Sequence, residues 1–142
     1  MKWVTRARPV IDRVACPWLI RRFINADAEF RYVPTDQVFA VAKETGATPF
    51  DIPGAEPFSH HGDLCTFDAV MSHYRLEKPG LGRLALIVRG ADTGRPDLTP
   101  QSAGLLAISQ GLRESIPDDH ALLAQGMVVY DALYAWCRAQ PD

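Results

Sequence analysis

The alternation of extended and amphipathic segments in the first third of the chain constrains its fold more than any other feature. Residues 2–6, "KWVTR", and 28–34, "AEFRYVP", alternate side chains with the two-residue period of a half-buried strand. A third short extended segment follows at 48–54, "TPFDIPG". Segments with helical spacing lie between them. The sequence therefore predicts a strand, helix, strand, helix, strand order, which suits a small sheet backed by helices.

The first predicted helix contains a proline, which leaves its start open. Val14 and Trp18 lie on one line of residues at four-residue spacing, with a second apolar line beside it, as on one side of a helix. A start at Asp12 would place Pro17 deep enough to kink the helix. A start with Cys16 as the cap would place Pro17 at the first helical position, where its missing amide costs nothing. We favour the second start, which also puts the Cys16 sulfur near the positive end of the helix dipole.

The remaining helices are predicted from caps and apolar lines. Thr35 is a plausible cap for the second helix and Gly46 a plausible stop. Four helices are predicted in the second half, with these starts: Thr66, the segment "GLGRLALIVRGAD", Thr99 with Pro100, and Ser115 or Asp118. Three glycines interrupt these patterns: Gly104, Gly111 and Gly126. Each costs about 1 kcal/mol relative to alanine, so close helix contact or a bend would explain them.

Composition and charge narrow the class of protein. The 142 residues are 47% hydrophobic and 23% charged, which is typical of one globular domain spanning 1–142. We expect an α+β fold with a small sheet and backing helices in the N-terminal half and a helical C-terminal half. Fifteen basic and seventeen acidic residues give a net charge of −2, so direct nucleic-acid binding is disfavoured. Without a signal-like or membrane-spanning segment, we expect a cytoplasmic protein with no membrane association.

The stretch "FSHHGDLC", residues 58–65, carries the most concentrated chemistry. His60 or His61 with Cys65 offers an imidazole and a thiol around a glycine, which is compatible with Zn²⁺ or Fe²⁺. Two ligands do not complete a site, so further donors would come from elsewhere. The candidates are Asp12, Cys16, Asp63, Asp68, Asp92 and His120. The alternative is an exposed turn followed by a small buried cysteine.

The cysteines and arginines have both functional and structural interpretations. Cys16 and Cys65 each precede a predicted helix, where the dipole lowers thiol pKa, so either is a candidate catalytic thiol. Free cysteines are more often buried and inert, and we assign Cys137 to the core. Arg89 and Asp92 lie in "RGADTGRPD", which either cradles an anion, lends Asp92 to a metal or ends a helix. Asp131 either lies on the exposed face or, if buried, pairs with a residue such as Arg21 or Arg22.

Four long stretches resemble the chromate resistance domain of the ChrB type. They are "KWVTRARPVIDRVACPWLIRRFI", "ATPFDIPGAEPFSHHGDLCTFDA", "LIVRGADT" and "GMVVYDALYAWCR". The resemblance implies an association with bacterial chromate resistance, in which longer members act as chromate-responsive regulators. The polar positions that match are Asp12, Arg13, Cys16, Arg21, Arg22, His60, Cys65, Arg89, Asp92, Tyr130 and Asp131.

These observations lead to one expectation and two alternatives. We expect a metal or oxyanion site of His60 and Cys65 with Asp92 or Asp12, in a sensor or effector of chromate or metal stress. The arginines that would offset anionic charge are Arg21, Arg22 and Arg89. One alternative is a thiol-dependent or metal-dependent redox enzyme that reduces chromate. The other is an interaction module for a regulator or a sulfurtransferase partner, and the sequence leaves enzymatic activity open.

Overall fold

The computed structural model describes residues 1–141 and confirms the expected α+β architecture. The N-terminal half contains β1 (Lys2–Arg6), α1 (Asp12–Phe23), β2 (Glu29–Val33), α2 (Val38–Thr45) and β3 (Thr48–Pro49). The C-terminal half contains α3 (Thr66–His73), α4 (Leu81–Asp92), α5 (Ser102–Ser115) and α6 (Asp119–Ala139). Within residues 1–141, no helix combines the length and apolar character needed to cross a membrane.

The three strands form a parallel sheet in the order β2-β1-β3. Trp3 of β1 pairs in register with Phe30 of β2, and both are buried. Phe50, directly after β3, packs edge-on against the two rings at centroid distances of 6.0 and 6.2 Å. Because the strands are parallel, their carboxyl ends meet at one edge of the sheet, which is where ligand sites form in such folds. Arg6 and Pro49 mark that edge.

The predicted start of α1, with Cys16 as the cap and Pro17 as the first helical residue, is wrong, because the helix begins at Asp12, five residues before Pro17. The backbone turns at Ile11, whose φ of +39° is rare for a β-branched residue. The amides of Val14 and Ala15 then donate to the Ile11 carbonyl, at 3.0 and 2.7 Å. Cys16 consequently lies inside the helix and is fully buried.

Pro17 is accommodated inside α1 by a side chain from β2. A proline has no amide to donate to the carbonyl four residues earlier, which here belongs to Arg13. The hydroxyl of Tyr32 donates to that carbonyl at 2.6 Å. The hydrogen bond that the helix cannot form is therefore replaced by a contact from the sheet.

Close packing explains only one of the three helix glycines. A Cβ on Gly126 of α6 would collide with Cγ1 of Val14 in α1. This confirms the predicted close helix contact at that position. A Cβ on Gly104 or on Gly111 would meet nothing within 4 Å, and nothing in the structure explains these two glycines.

Several predicted helix ends differ from the observed ones. Thr35 opens a short 3₁₀ turn and α2 begins only at Val38, although Gly46, with φ +76°, ends the helix as predicted. The start of α5 is Ser102 rather than Pro100. Asp118 caps α6 by accepting a 2.8 Å hydrogen bond from the amide of residue 121, as predicted.

Asp131 lies at the surface, so the pair expected for a buried acid does not form in the core, but its carboxylate pairs with Arg22 on the exposed face. The guanidinium of Arg22 donates two hydrogen bonds of 2.9 Å to the carboxylate, and the indole of Trp18 donates a third at 2.7 Å. The Arg22 and Asp131 side chains are both nearly half exposed, so this pair fastens α1 to α6 at the surface. Arg21 instead donates to a backbone carbonyl and lies over the ring of Phe30 at 4.9 Å.

Candidate functional site

Five potential donor side chains converge where the carboxyl edge of the sheet meets the helical half. Asp12 opens α1 immediately after β1 and its loop, and Asp51 follows β3 by two residues. His60 lies in the loop before α3, and Cys65 directly precedes that helix. Asp92 is the last residue of α4. The fold thus brings together residues that are far apart in the chain.

Asp12 is fully buried and only half of its carboxylate is satisfied. Oδ2 accepts hydrogen bonds from the amides of Thr66 at 2.7 Å and Phe67 at 3.3 Å. Oδ1 has no hydrogen-bond partner among residues 1–141. Burial raises the pKa of Asp12 well above its ordinary value, and the charges of Asp92 and Asp51 raise it further. The charged form of this carboxyl group is therefore disfavoured in the absence of a cation.

Asp51 is the ionised member of the group. Burial alone would raise its pKa, but hydrogen bonds from His60 and Thr66 and the charges of Arg13 and Arg6 lower it. The Thr66 hydroxyl donates to Oδ1 at 2.7 Å, and Oδ2 lies 3.5 Å from both Arg13 Nε and Arg6 Nη2. The backbone of Asp51 has φ +53°, a strained conformation of the kind found at functional sites.

One nitrogen of His60 faces three carboxylates. Nε2 lies 2.9 Å from Oδ2 of Asp92, 3.5 Å from Oδ1 of Asp51 and 3.8 Å from Oδ2 of Asp12. The hydrogen bond to Asp51 raises the pKa of His60, against a smaller opposing effect of burial, and the charge of Asp92 adds to the increase. The side chain is 46% exposed, so the imidazole closes the group from the solvent side.

Asp92 occupies a position that the helix dipole disfavours. The carboxyl end of a helix carries partial negative charge, which stabilises cations rather than acids there. Burial and the charge of Asp51 raise the pKa of Asp92, although His60 partly offsets them. An acid placed against the dipole and beside other acids requires a proton or a cation to neutralise it.

Cys65 caps α3 and contacts the side chain of Asp68 in the first turn of that helix. Its amide and its thiol both lie against Oδ2 of Asp68, at 3.0 and 3.4 Å. Arg89 donates two hydrogen bonds, of 3.0 and 2.8 Å, to the same carboxylate. The predicted cap Thr66 is instead the first residue of the helix. Burial raises the pKa of the Cys65 thiol, with the charge of Asp12 next in effect, so the expected lowering by the helix dipole is outweighed.

The donors form two overlapping sets. In one, single ligand atoms of Asp12, Asp51 and His60 all lie within 4.8 Å of one another. In the other, the same holds for Asp12, Cys65 and Asp92. Among the described residues, His60 and Cys65 therefore fall in different sets, with Asp12 common to both. Imidazole, thiolate and carboxylate donors in such numbers suit Zn²⁺ or Fe²⁺.

An open pocket of about 580 Å³ gives access to the site. It is lined by Arg6, Val10, Arg13, Asp51, Ile52, Pro53, Gly54, Glu56, Ser59, His60 and Asp92. The guanidinium groups of Arg6 and Arg13 thus lie on the same wall as the carboxylates. An anion that entered the pocket would meet two positive charges beside the donor atoms.

Comparison with known proteins gives the family. The sequence profile described as "ChrB, C-terminal domain" matches residues 3–137. The chain belongs to this family. It is 37% identical over 140 residues to Protein ChrB of Cupriavidus metallidurans, an alignment that covers 94% of this chain and 40% of that relative. The chain therefore spans about two fifths of the length of the curated relative it matches. No solved structure matches it significantly.

The structure of this ChrB-type domain brings only some of the predicted residues to the site. Asp12, His60, Cys65 and Asp92 are brought together. Arg22 lies ten positions along α1 from Asp12, which corresponds to about 15 Å at 1.5 Å per residue, and Arg21 is adjacent to it. Neither is at the site.

The other predicted residues of the ChrB-type domain have structural contacts. Arg89 is engaged by Asp68. Cys16 is buried beneath the site within α1, and burial raises the pKa of its thiol well above the ordinary value. His61 lies 3.1 Å from Glu56, and the ring of His120 lies against that of Tyr32.

Three residues of the ChrB-type site were missed by sequence reasoning as donors or anion ligands: Arg6, Arg13 and Asp51. A signal for them exists in the strand order. Arg6 ends β1 and Asp51 follows β3, and the carboxyl ends of parallel strands share one edge. Arg13 follows Asp12 directly, so the corrected start of α1 places both at the first turn.

Proposed function

We propose that this ChrB-type domain binds a divalent transition-metal ion, Zn²⁺ or Fe²⁺, through Asp12, Asp51 and His60. The observation that carries the proposal is the position of His60 Nε2, within 3.8 Å of three carboxylates, one of which has a buried oxygen without a partner among the described residues. The domain would act as a sensor or effector in chromate or metal stress, as the ChrB family association implies.

Electrostatics favours a cation at this position. Two like charges 4 Å apart repel each other by about 4 kcal/mol in partly buried surroundings. The charges of Asp92 and Asp51 raise the pKa of Asp12, which is fully buried, and the charge of Asp51 raises that of Asp92. A divalent ion would offset the buried charge of Asp12 and relieve the repulsion between the acids. Without such an ion, the charged forms of Asp12 and Asp92 are disfavoured in the folded state, whereas that of Asp51 is stabilised by its hydrogen bonds and arginine neighbours.

The arginines extend the proposal to an oxyanion. Three protein ligands leave a position open on Zn²⁺ for water or another ligand. Here that position would face the pocket, whose wall carries Arg6 and Arg13. Planar guanidinium groups bind tetrahedral oxyanions through paired hydrogen bonds. An oxyanion such as chromate would therefore bind to the metal-loaded domain more strongly than to the metal-free one.

The thiol-dependent redox alternative has less support. Cys16 and Cys65 are both fully buried, and burial raises the pKa of each thiol. A reactive thiol is normally partly exposed and ionised near neutral pH.

The test is metal analysis of protein purified without a histidine tag. We expect bound Zn²⁺ or Fe²⁺ in the wild-type protein, and titration of the metal-free protein with Zn²⁺ should restore it. His60→Ala should weaken binding at least tenfold. His61→Ala is the matched control, because His61 contacts Glu56 at the surface and belongs to neither donor set. Absence of saturable binding in the wild-type protein would end the proposal, as would equal loss in both variants.

A further inference from the structure

The two donor sets share Asp12, but the imidazole of His60 belongs to one set and the thiol of Cys65 to the other. We propose, on the basis of the metal-binding function above, that the site is dinuclear. A second divalent ion is bound by Asp12, Cys65 and Asp92, next to the ion bound by Asp12, Asp51 and His60. Asp12 bridges the two ions.

The geometry of Asp12 is suited to a bridge. Its carboxylate belongs to both sets, and one of its oxygens is buried without a partner among residues 1–141. The other oxygen is fixed by the amides of Thr66 and Phe67, which hold the carboxylate plane at the start of α3. In two-metal sites the ions lie about 3.5–4 Å apart, a separation that one carboxylate spans.

One donor of the proposed second ion, Cys65, is held in place by hydrogen bonds that involve Asp68 and Arg89. Asp68 accepts a hydrogen bond from the amide of Cys65, which does not depend on the state of the thiol. The charge of Asp68, which opposes a thiolate, is offset by the two hydrogen bonds from Arg89. Cys65 is fully buried and the Asp92 side chain is 14% exposed, so an ion between them would be shielded from solvent. Ligands that are oriented by a second layer of hydrogen bonds are characteristic of metal centres.

The charges of the donors match two ions better than one. When Cys65 coordinates a divalent ion, its sulfur loses a proton to the buffer and becomes a thiolate. The donors then include three carboxylates and one thiolate, which two divalent ions neutralise. One ion would leave two negative charges at a largely buried position. Arg6 and Arg13 line the pocket and each lie 3.5 Å from Asp51, so an anion that capped the metals would share them with that carboxylate.

A cobalt titration tests the proposal, because a thiolate bound to Co²⁺ gives a charge-transfer absorption that carboxylates and imidazole do not. We expect the metal-free wild-type protein to bind two equivalents of Co²⁺ and to show this band. Cys65→Ser should bind one equivalent and lose the band. His60→Ala should also bind one equivalent but keep the band. Cys137→Ser, which replaces a buried cysteine far along α6, is the matched control and should behave as wild type.

The outcomes separate this inference from the proposed function. One equivalent in the wild-type protein would overturn the dinuclear site and leave the metal-binding function intact, whereas no binding would overturn both. Loss of the band in His60→Ala would mean that thiol and imidazole serve one ion, which also overturns the inference. If Cys65→Ser does not fold, as judged by circular dichroism, Asp92→Asn replaces it and should reduce binding from two equivalents to one.

Discussion

The carboxylate of Asp12 accepts a 2.7 Å hydrogen bond from the backbone amide of Thr66. This contact joins the first residue of α1 to the first residue of α3, and it places a buried acid at the junction of the two halves of the fold. The same group that ties the helices together is therefore the group that the other acids of the site repel. Its protonation state links metal binding to stability.

Asp12→Asn should stabilise the metal-free protein at neutral pH and abolish its stabilisation by metal. Because the pKa of Asp12 is raised in the folded state, the protonated carboxyl group contributes to the free energy of unfolding. This contribution is complete below the ordinary pKa of 3.8 and is lost as pH rises through the folded-state pKa. Asparagine keeps the acceptor for Thr66 but carries no charge. Urea unfolding in the presence of a chelator, from pH 4 to pH 8, should show that the free energy of unfolding of the variant increases relative to that of the wild type as pH rises.

Added Zn²⁺ completes that experiment. At one hundred times its dissociation constant, an ion that binds only the folded state stabilises it by about 2.7 kcal/mol. Wild-type protein should gain this amount and Asp12→Asn should gain almost nothing. A variant that responds to Zn²⁺ like the wild type would show that Asp12 is not a ligand.

Tyr32→Phe should destabilise the protein by about 1–3 kcal/mol, because the Arg13 carbonyl would lose its donor. The cost should fall below about 1 kcal/mol in a Pro17→Ala background, since alanine restores the helical amide. A double-mutant cycle by urea unfolding measures this coupling. Additive effects of the two substitutions would contradict the compensation described for α1.

Gly126→Ala and Gly104→Ala should have opposite effects on thermal stability. An alanine at 126 would press on Val14 and cost about 1–3 kcal/mol through overpacking. An alanine at 104 would meet open space and gain about 1 kcal/mol of helix propensity. Calorimetry of both variants checks the contact between α1 and α6, and destabilisation by both would show that another constraint acts on Gly104.

Arg13→Gln should weaken chromate binding to the metal-loaded protein by about tenfold or more, the equivalent of one charge-assisted hydrogen bond. Arg22→Gln, which alters a surface pair with Asp131, should leave it unchanged. Equilibrium dialysis with chromate measures both. Equal weakening by the two substitutions would point to general charge rather than to the pocket wall.

The succession of strands and helices along the chain and the four C-terminal helices were predictable because their signals are local. Alternation in residues 2–6 and the cap at Asp118 depend only on neighbouring residues. The start of α1 was mispredicted because the group that accommodates Pro17 is the hydroxyl of Tyr32, on another strand.

The site was predictable in its residue types but not in its grouping. His60, Cys65, Asp12 and Asp92 were identified from their chemistry, yet which donors share an ion depends on how α3 and α4 meet the sheet. Asp51 was missed as a donor because its role follows from the position of β3 beside β1, a long-range pairing. Periodicity carries no information about such pairings.

The parallel sheet places the donor residues at its carboxyl edge, and those residues come from positions 12, 51, 60, 65 and 92. A protease that cut the chain between α3 and α4 would leave Asp12, Asp51, His60 and Cys65 on one fragment and Asp92 on the other, so only the second proposed ion would lose a donor. Occupancy of the second proposed site would therefore report that α4 has docked, since Asp92 is the last donor of that site along the chain.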